Sequence, residues 1–141
     1  MDKCERMKEL HIEATTDNLA QVTAFVDEIL EAAECPVKHI MPIELSVEEI
    51  YVNIANYAYA PGTGDVTVRA GVGEDRSFTI TFIDSGVPYD PLAKEDPDVT
   101  LSADERSIGG LGIYLTKKFM DDVSYVYKDG KNTLTLVKDI S

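Results

Sequence analysis

The chain has 141 residues, 44% hydrophobic and 28% charged, with a formal net charge of −13 and no tryptophan. That length suits one domain with a full core. The acidic balance argues against nucleic acid, whose phosphates reward clustered Lys and Arg, and against an anionic membrane surface. No apolar run approaches the ~20 residues needed to span a bilayer, and the charged start MDKCERMKEL carries no signal-peptide core, so a cytoplasmic location is expected. Cys4 and Cys35 lie far apart and form no metal-ligand motif with His11 or His39, so free thiols are expected.

Taken in order, residues 7–15 alternate as a strand, with Leu10, Ile12 and Ala14 on one face. Thr16-Asp17-Asn18 offers N-cap chemistry for a helix through about Glu34. Its apolar stripe is Leu19, Val22, Phe25, Val26, Ile29 and Leu30, and Cys35-Pro36 ends it. Pro42 is expected in the first turn of the next helix, where a missing N–H is harmless, and that helix stops near Pro61-Gly62. Two alternating strands follow, Asp65–Val72 and Ser77–Asp84, joined by a hairpin at 73–76. Residues 85–108 hold Pro88, Pro91 and Pro97 and show no periodicity, and a loop of that length inside a domain is often functional. Gly109-Gly110-Leu111-Gly112 opens a helix through about Met120. The strands Asp122–Lys128 and Asn132–Asp139 then form a hairpin about Asp129-Gly130. This order predicts an α+β two-layer sandwich, its sheet mixed or mostly antiparallel, with helices on one face.

The helix around ELSVEEIYVNIANYAYA is the element about which the rest is arranged. Val47, Ile50, Tyr51, Ile54 and Ala58 share one face at about 100° per residue, while Glu49, Asn53 and Asn56 line the other at i, i+4 and i+7. A solvated polar face is the plain alternative, but Leu45 and Val52 flank the stripe, and Asn is a mediocre helix former. Two further features stand downstream: Asp84-Ser85-Gly86 at a strand end, and the glycine-rich helix start. Taken singly, the first also fits a plain turn and the second close helix–sheet packing. The glycines make neither a Walker A loop nor a dinucleotide fingerprint.

In joint order and spacing, the chain resembles the GHKL (Bergerat-fold) ATPases. Glu49-Ile50-Tyr51-Val52-Asn53 matches the E-x-x-x-N box, Asp84-Ser85-Gly86-Val87-Pro88 the first glycine box, and Gly110-Leu111-Gly112 the second. The runs DSGVPYDP and GGLGIYLTKKFMDDV resemble the anti-sigma serine-kinase branch, and the likeness covers roughly residues 7–138. It implies ATP with Mg²⁺. Asn53 would bring its side-chain oxygen to the metal, and Glu49 would orient or deprotonate the attacking hydroxyl. Asp84 would accept the adenine amine, with Gly86 admitting the base. The amides at Gly110, Leu111 and Gly112 would meet phosphate at a helix N-terminus. Thr133 is a second candidate for the adenine and Asn56 a further one for the nucleotide. Residues 88–108 would form a lid, with Lys94 or Arg106 facing the γ-phosphate. Arg106 is displaced from the family position by Ile108-Gly109. Tyr57 replaces a frequent His, and Asn132 a frequent Gly before the Thr.

Gyrase-type and Hsp90-type relatives need a second domain, and neither histidine has a phospho-acceptor context. The resemblance therefore implies a homodimeric kinase that phosphorylates a Ser or Thr of an anti-anti-sigma (STAS-domain) partner. The alternative is a nucleotide-regulated module that sequesters a sigma factor with little or no transfer.

Overall fold

The computed structural model describes residues 7–88 and 110–141, with side chains from residue 115 onward in the third helix. Cys4, the expected lid, Lys94 and Arg106 therefore lie outside the described residues. The elements are β1 (Lys8–Glu13), a 3-10 turn (Thr16–Asn18), α1 (Leu19–Ala32), and α2 (Val37–Asn53), which runs into a π-helical turn (Ile54–Ala58). They continue as β2 (Asp65–Val72), β3 (Ser77–Asp84), α3 (Gly110–Phe119), β4 (Asp122–Lys128) and β5 (Lys131–Asp139).

The strands form one sheet in the order β1-β2-β3-β5-β4. Each neighbouring pair is antiparallel, so among the described residues the sheet has no mixed part. Hairpins make β2–β3 and β4–β5. The Asp129-Gly130 turn has positive φ at both positions (56° and 77°), which an Asp-Gly pair tolerates and which matches the twist of the strands it joins.

Alternation along the strands sends Val66, Val68, Phe78, Ile80, Phe82, Leu134 and Leu136 inward. There they meet Val22, Val26 and Leu30 of α1 and Ile43, Val47, Ile50 and Tyr51 of α2. Fully burying each large side chain contributes roughly 1.5–3 kcal/mol, so this seam is what holds α2 in place. Tyr51 adds a polar anchor, its hydroxyl donating to the Thr15 carbonyl at 2.6 Å across the layers.

Two helix starts differ from expectation. The Asn18 side chain caps no helix N–H; its amide donates back to the Glu13 carbonyl at 2.8 Å, because a 3-10 turn fills the space before α1. Helix α2 begins at Val37, with Pro42 inside it. Pro42 lacks the N–H that would pair with the carbonyl four residues back. Ser46 Oγ donates to the Pro42 carbonyl at 2.8 Å within the same stretch.

Candidate functional site

A cleft opens where the end of α2 meets β3 and β5, with about 480 Å³ of atom-free space, part of it continuous with solvent. Its walls are mostly apolar: Ile50, Ile54 and Ala58 from α2 and the π-turn, Phe82 from β3, and Leu134 from β5. Asn53, Asp84, Asn132 and Tyr125 supply the polar groups. A mainly apolar slot with a few convergent polar groups is the usual form of a small-molecule site. The π-turn is a common accompaniment of function, and here it carries Ile54, Tyr57 and Ala58 to the cleft rim.

Asp84 ends β3 facing inward and is 5% exposed. Its Oδ1 accepts the Gly86 N–H at 2.9 Å and the Asn132 amide at 2.9 Å. One carboxylate oxygen is thereby fixed, and no described residue hydrogen-bonds Oδ2. Asn132 Nδ2 also donates to the Val87 carbonyl at 2.9 Å, and the Tyr125 hydroxyl donates to Asn132 Oδ1. This network pins the chain leaving β3, and Tyr59 ties it down from the other side. The Tyr59 hydroxyl accepts the Ser85 N–H at 2.7 Å and donates to the Asp65 carbonyl at 2.6 Å.

Gly86 is required for packing. A Cβ there would lie 2.2 Å from the Ala58 carbonyl oxygen, the same oxygen that accepts the Val87 N–H at 2.9 Å. The bare backbone thus seats the turn after β3 against the π-turn and holds Asp84 at the cleft floor.

Asn53 lines this cleft, and its Nδ2 donates to Glu49 Oε1 at 3.3 Å. Glu49 itself lies one turn back and faces a neighbouring groove between α2 and α3, lined by Leu45, Val52, Leu115, Thr116 and Phe119. Burial pushes the Glu49 carboxyl above the usual carboxylate range; the Asn53 hydrogen bond acts against that, and Glu48 adds to it. A carboxylate held by one amide and poised toward higher pH is suited to take a proton from a hydroxyl. Because that bond engages Asn53 Nδ2, the Asn53 carbonyl oxygen is left as a hard donor suited to Mg²⁺. Among the described residues no cluster of three His, Cys, Asp or Glu could hold a metal by itself, so such a cation would take its other ligands from elsewhere, such as phosphate.

The structure therefore brings Asn53, Asp84 and Gly86 together and links Glu49 to them through Asn53. Gly110, Leu111 and Gly112 form the first turn of α3. The expectation at Thr133 is corrected by one residue. Asn132 and Leu134 face the cleft, so Thr133, between them, faces the other side of the sheet beside Ile83. Asn56 is exposed and does not line the cleft: a π-turn advances fewer degrees per residue than an α-helix, which carries it off the Glu49–Asn53 stripe. Asn132 is the site residue that sequence reasoning passed over. Inward-pointing Leu134 and Leu136 were the available signal, since period-2 alternation puts Asn132 on their side.

A family model described as the histidine kinase-like ATPase domain matches residues 12–138. The serine/threonine-protein kinase BtrW of Bordetella bronchiseptica is 32% identical over 94 residues, 67% of this chain and 66% of that protein. The serine-protein kinase RsbW of Bacillus cereus (strain B4264) is 26% identical over 138 residues, 95% of this chain and 85% of that protein. Among solved structures, the RsbU and RsbW domains of Rv1364c from Mycobacterium tuberculosis superpose with TM-score 0.66 at 19% identity, covering 94% of this chain and 32% of that one. A chain of the SiaB–SiaC complex from Pseudomonas aeruginosa superposes with TM-score 0.60 at 16% identity, covering 96% and 91%.

Proposed function

The chain belongs to the histidine kinase-like ATPase domain family, and from that premise we propose that it is a protein serine/threonine kinase that moves the γ-phosphoryl group of ATP to a hydroxyl of an anti-anti-sigma (STAS-type) protein. The observation that carries this reading is the joining of two sites by one hydrogen bond. Asn53 lies in the cleft with Asp84, and its amide holds Glu49, which faces the next groove. The kinases named among its relatives support the same reaction class.

In this reading the base enters the apolar slot beside Phe82 and Leu134, and Asp84 Oδ2 accepts its exocyclic amine. Asn132 keeps Asp84 in the orientation that allows this. The backbone N–H groups opening α3 at Gly110–Gly112 receive phosphate oxygens, as a helix N-terminus favours anions. Mg²⁺, when bound at the Asn53 carbonyl, would neutralise phosphate charge. Glu49 accepts the proton of the acceptor hydroxyl as its oxygen bonds to the γ-phosphorus, and the bond from that phosphorus to the bridging oxygen breaks, releasing ADP. A homodimer and a cytoplasmic setting belong to this reading; no helix among the described residues is long and apolar enough to cross a membrane.

The test is incubation of the protein with Mg-ATP and a purified STAS-domain protein, followed by intact-mass measurement of the latter. The expected result is a gain of about 80 Da, one phosphoryl group, lost in Glu49→Gln and retained in Cys35→Ala. Nucleotide binding without any mass gain would remove the kinase reading and leave a module that sequesters a sigma factor.

A further inference from the structure

Helix α2 carries a feature that neither the core nor the nucleotide cleft uses. Val37, Met41, Leu45, Glu49 and Asn53 follow one another at steps of four, and on an α-helix such residues form a single slanted ridge. The last two belong to the site. The first three are apolar and exposed: Val37 84%, Met41 66% and Leu45 47%. The buried core contacts of α2 come from Ile43, Val47, Ile50 and Tyr51, so packing does not explain the ridge. Leu115 of α3, also 39% exposed, faces Leu45 across the groove that contains Glu49, with about 620 Å³ of atom-free space.

Resting on the kinase reading above, we infer that the ridge Val37–Met41–Leu45, with Leu115 beside it, is the surface on which the protein acceptor docks, through an apolar patch next to its reacting hydroxyl.

Distance supports this occupant. At 1.5 Å per residue, Leu45 lies about 6 Å and Met41 about 12 Å along the axis from Glu49. A standard protein interface covers about 800 Å² per partner, a disc of about 16 Å radius. A folded acceptor that places a hydroxyl on Glu49 with its footprint centred toward Leu45 covers Leu45 and Met41 and reaches Val37, about 18 Å from Glu49. That direction offers apolar area continuous with the reacting carboxylate. A small-molecule acceptor would have no use for it.

The test compares Val37→Asp/Met41→Asp with wild type in initial-rate phosphotransfer to the purified STAS-domain protein, varying that protein and ATP separately. Asp at position 37 falls in the first turn of α2, where negative charge favours the helix. Met41→Ser is the milder variant should the double one misfold by circular dichroism. Val126→Asp, on edge strand β4 and 52% exposed, controls for an added surface charge. The expected outcome is a KM for the acceptor raised about tenfold or more, with kcat and the KM for ATP within about twofold, and no change in Val126→Asp. An acceptor KM within about twofold of wild type overturns the docking proposal while leaving the kinase reading in place. An unchanged acceptor KM together with a weakened dimer in sedimentation assigns the ridge to a second copy of the chain. Absence of transfer by wild type overturns the kinase reading, and the docking surface with it.

Discussion

The two sides of Asn53 are built differently. On the side of β3 and β5, Asp84 is fixed by the Gly86 N–H and Asn132, and Asn132 is in turn held by Tyr125 and the Val87 carbonyl. On the side of α3, Glu49 has a single hydrogen bond among the described residues and borders a groove with half-exposed Leu45 and Leu115 on its rim. The first arrangement is preorganised, so a ligand loses little freedom that the protein has not already given up. The second leaves room for a large partner. On the kinase reading proposed above, the contrast would put nucleotide affinity on one side and turnover on the other, with Asn53 shared between them.

Substitutions on the two sides should separate accordingly. The largest effect is expected at Glu49→Gln: kcat for phosphotransfer falls by about 10²–10⁴, while the Mg-ADP dissociation constant from calorimetry stays within about twofold. Asp84→Ala should do the reverse to binding. Loss of a hydrogen bond to a charged group costs about 1.5–3 kcal/mol, a tenfold to hundredfold weaker Mg-ADP affinity, read also as a smaller melting-temperature rise with nucleotide. Gly86→Ala breaks the preorganisation itself. The new Cβ meets the Ala58 carbonyl oxygen at 2.2 Å, and the overpacking should cost about 1–3 kcal/mol in urea unfolding and weaken nucleotide binding as well.

A smaller effect separates the pH response of stability from that of catalysis. Between α1 and α2, Asp27 Oδ1 is buried without a hydrogen-bond partner. Sharing a proton with Asp27, along with burial and the repulsion of the two charges, pushes the Glu44 carboxyl from 4.5 up to about 7. Since its folded pKa is raised, the folded state keeps a proton that the unfolded chain releases. This contribution to stability is full below pH 4.5 and is lost as pH rises through about 7. Glu44→Gln should flatten the fall in melting temperature across that window and leave in place the pH profile of kcat, which the kinase reading ascribes to Glu49. The smallest effect belongs to Thr133→Val, which should change Mg-ADP affinity by less than about twofold, because Thr133 faces away from the cleft.

Periodicity and turn chemistry made most of the fold legible. The alternation of β2 and β3, the apolar stripe of α1 and the Asp-Gly hairpin all correspond to described elements. The start of α2 was hidden because Pro42 reads as a first-turn residue, whereas the helix begins five residues earlier at Val37. The positions of Asn53 and Asp84 in the cleft and of Glu49 beside it were legible from spacing because each sits on a regular element. Asn56 was misplaced because nothing local in NIANYA signals a π-turn. Asn132 stands beside a threonine that the family pattern favours, although Leu134 and Leu136 fix the parity of the strand and put Asn132 on the inward face. Its hydrogen-bond partners lie 45 and 48 positions away, and a single chain of letters does not display such contacts. The role of Gly86 in seating the π-turn was equally invisible, since it depends on Ala58, another distant segment.

The division of labour around Asn53 is tested most directly by the amide NMR spectrum of the labelled protein as Mg-ADP is added. The side-chain amides of Asn53 and Asn132 and the backbone amide of Gly86 should shift together along one saturable curve, while those of His11 and Arg69 on the far strands stay put. Shifts confined to β1 and β2, or no change at millimolar nucleotide, would contradict the assignment of this cleft to the nucleotide.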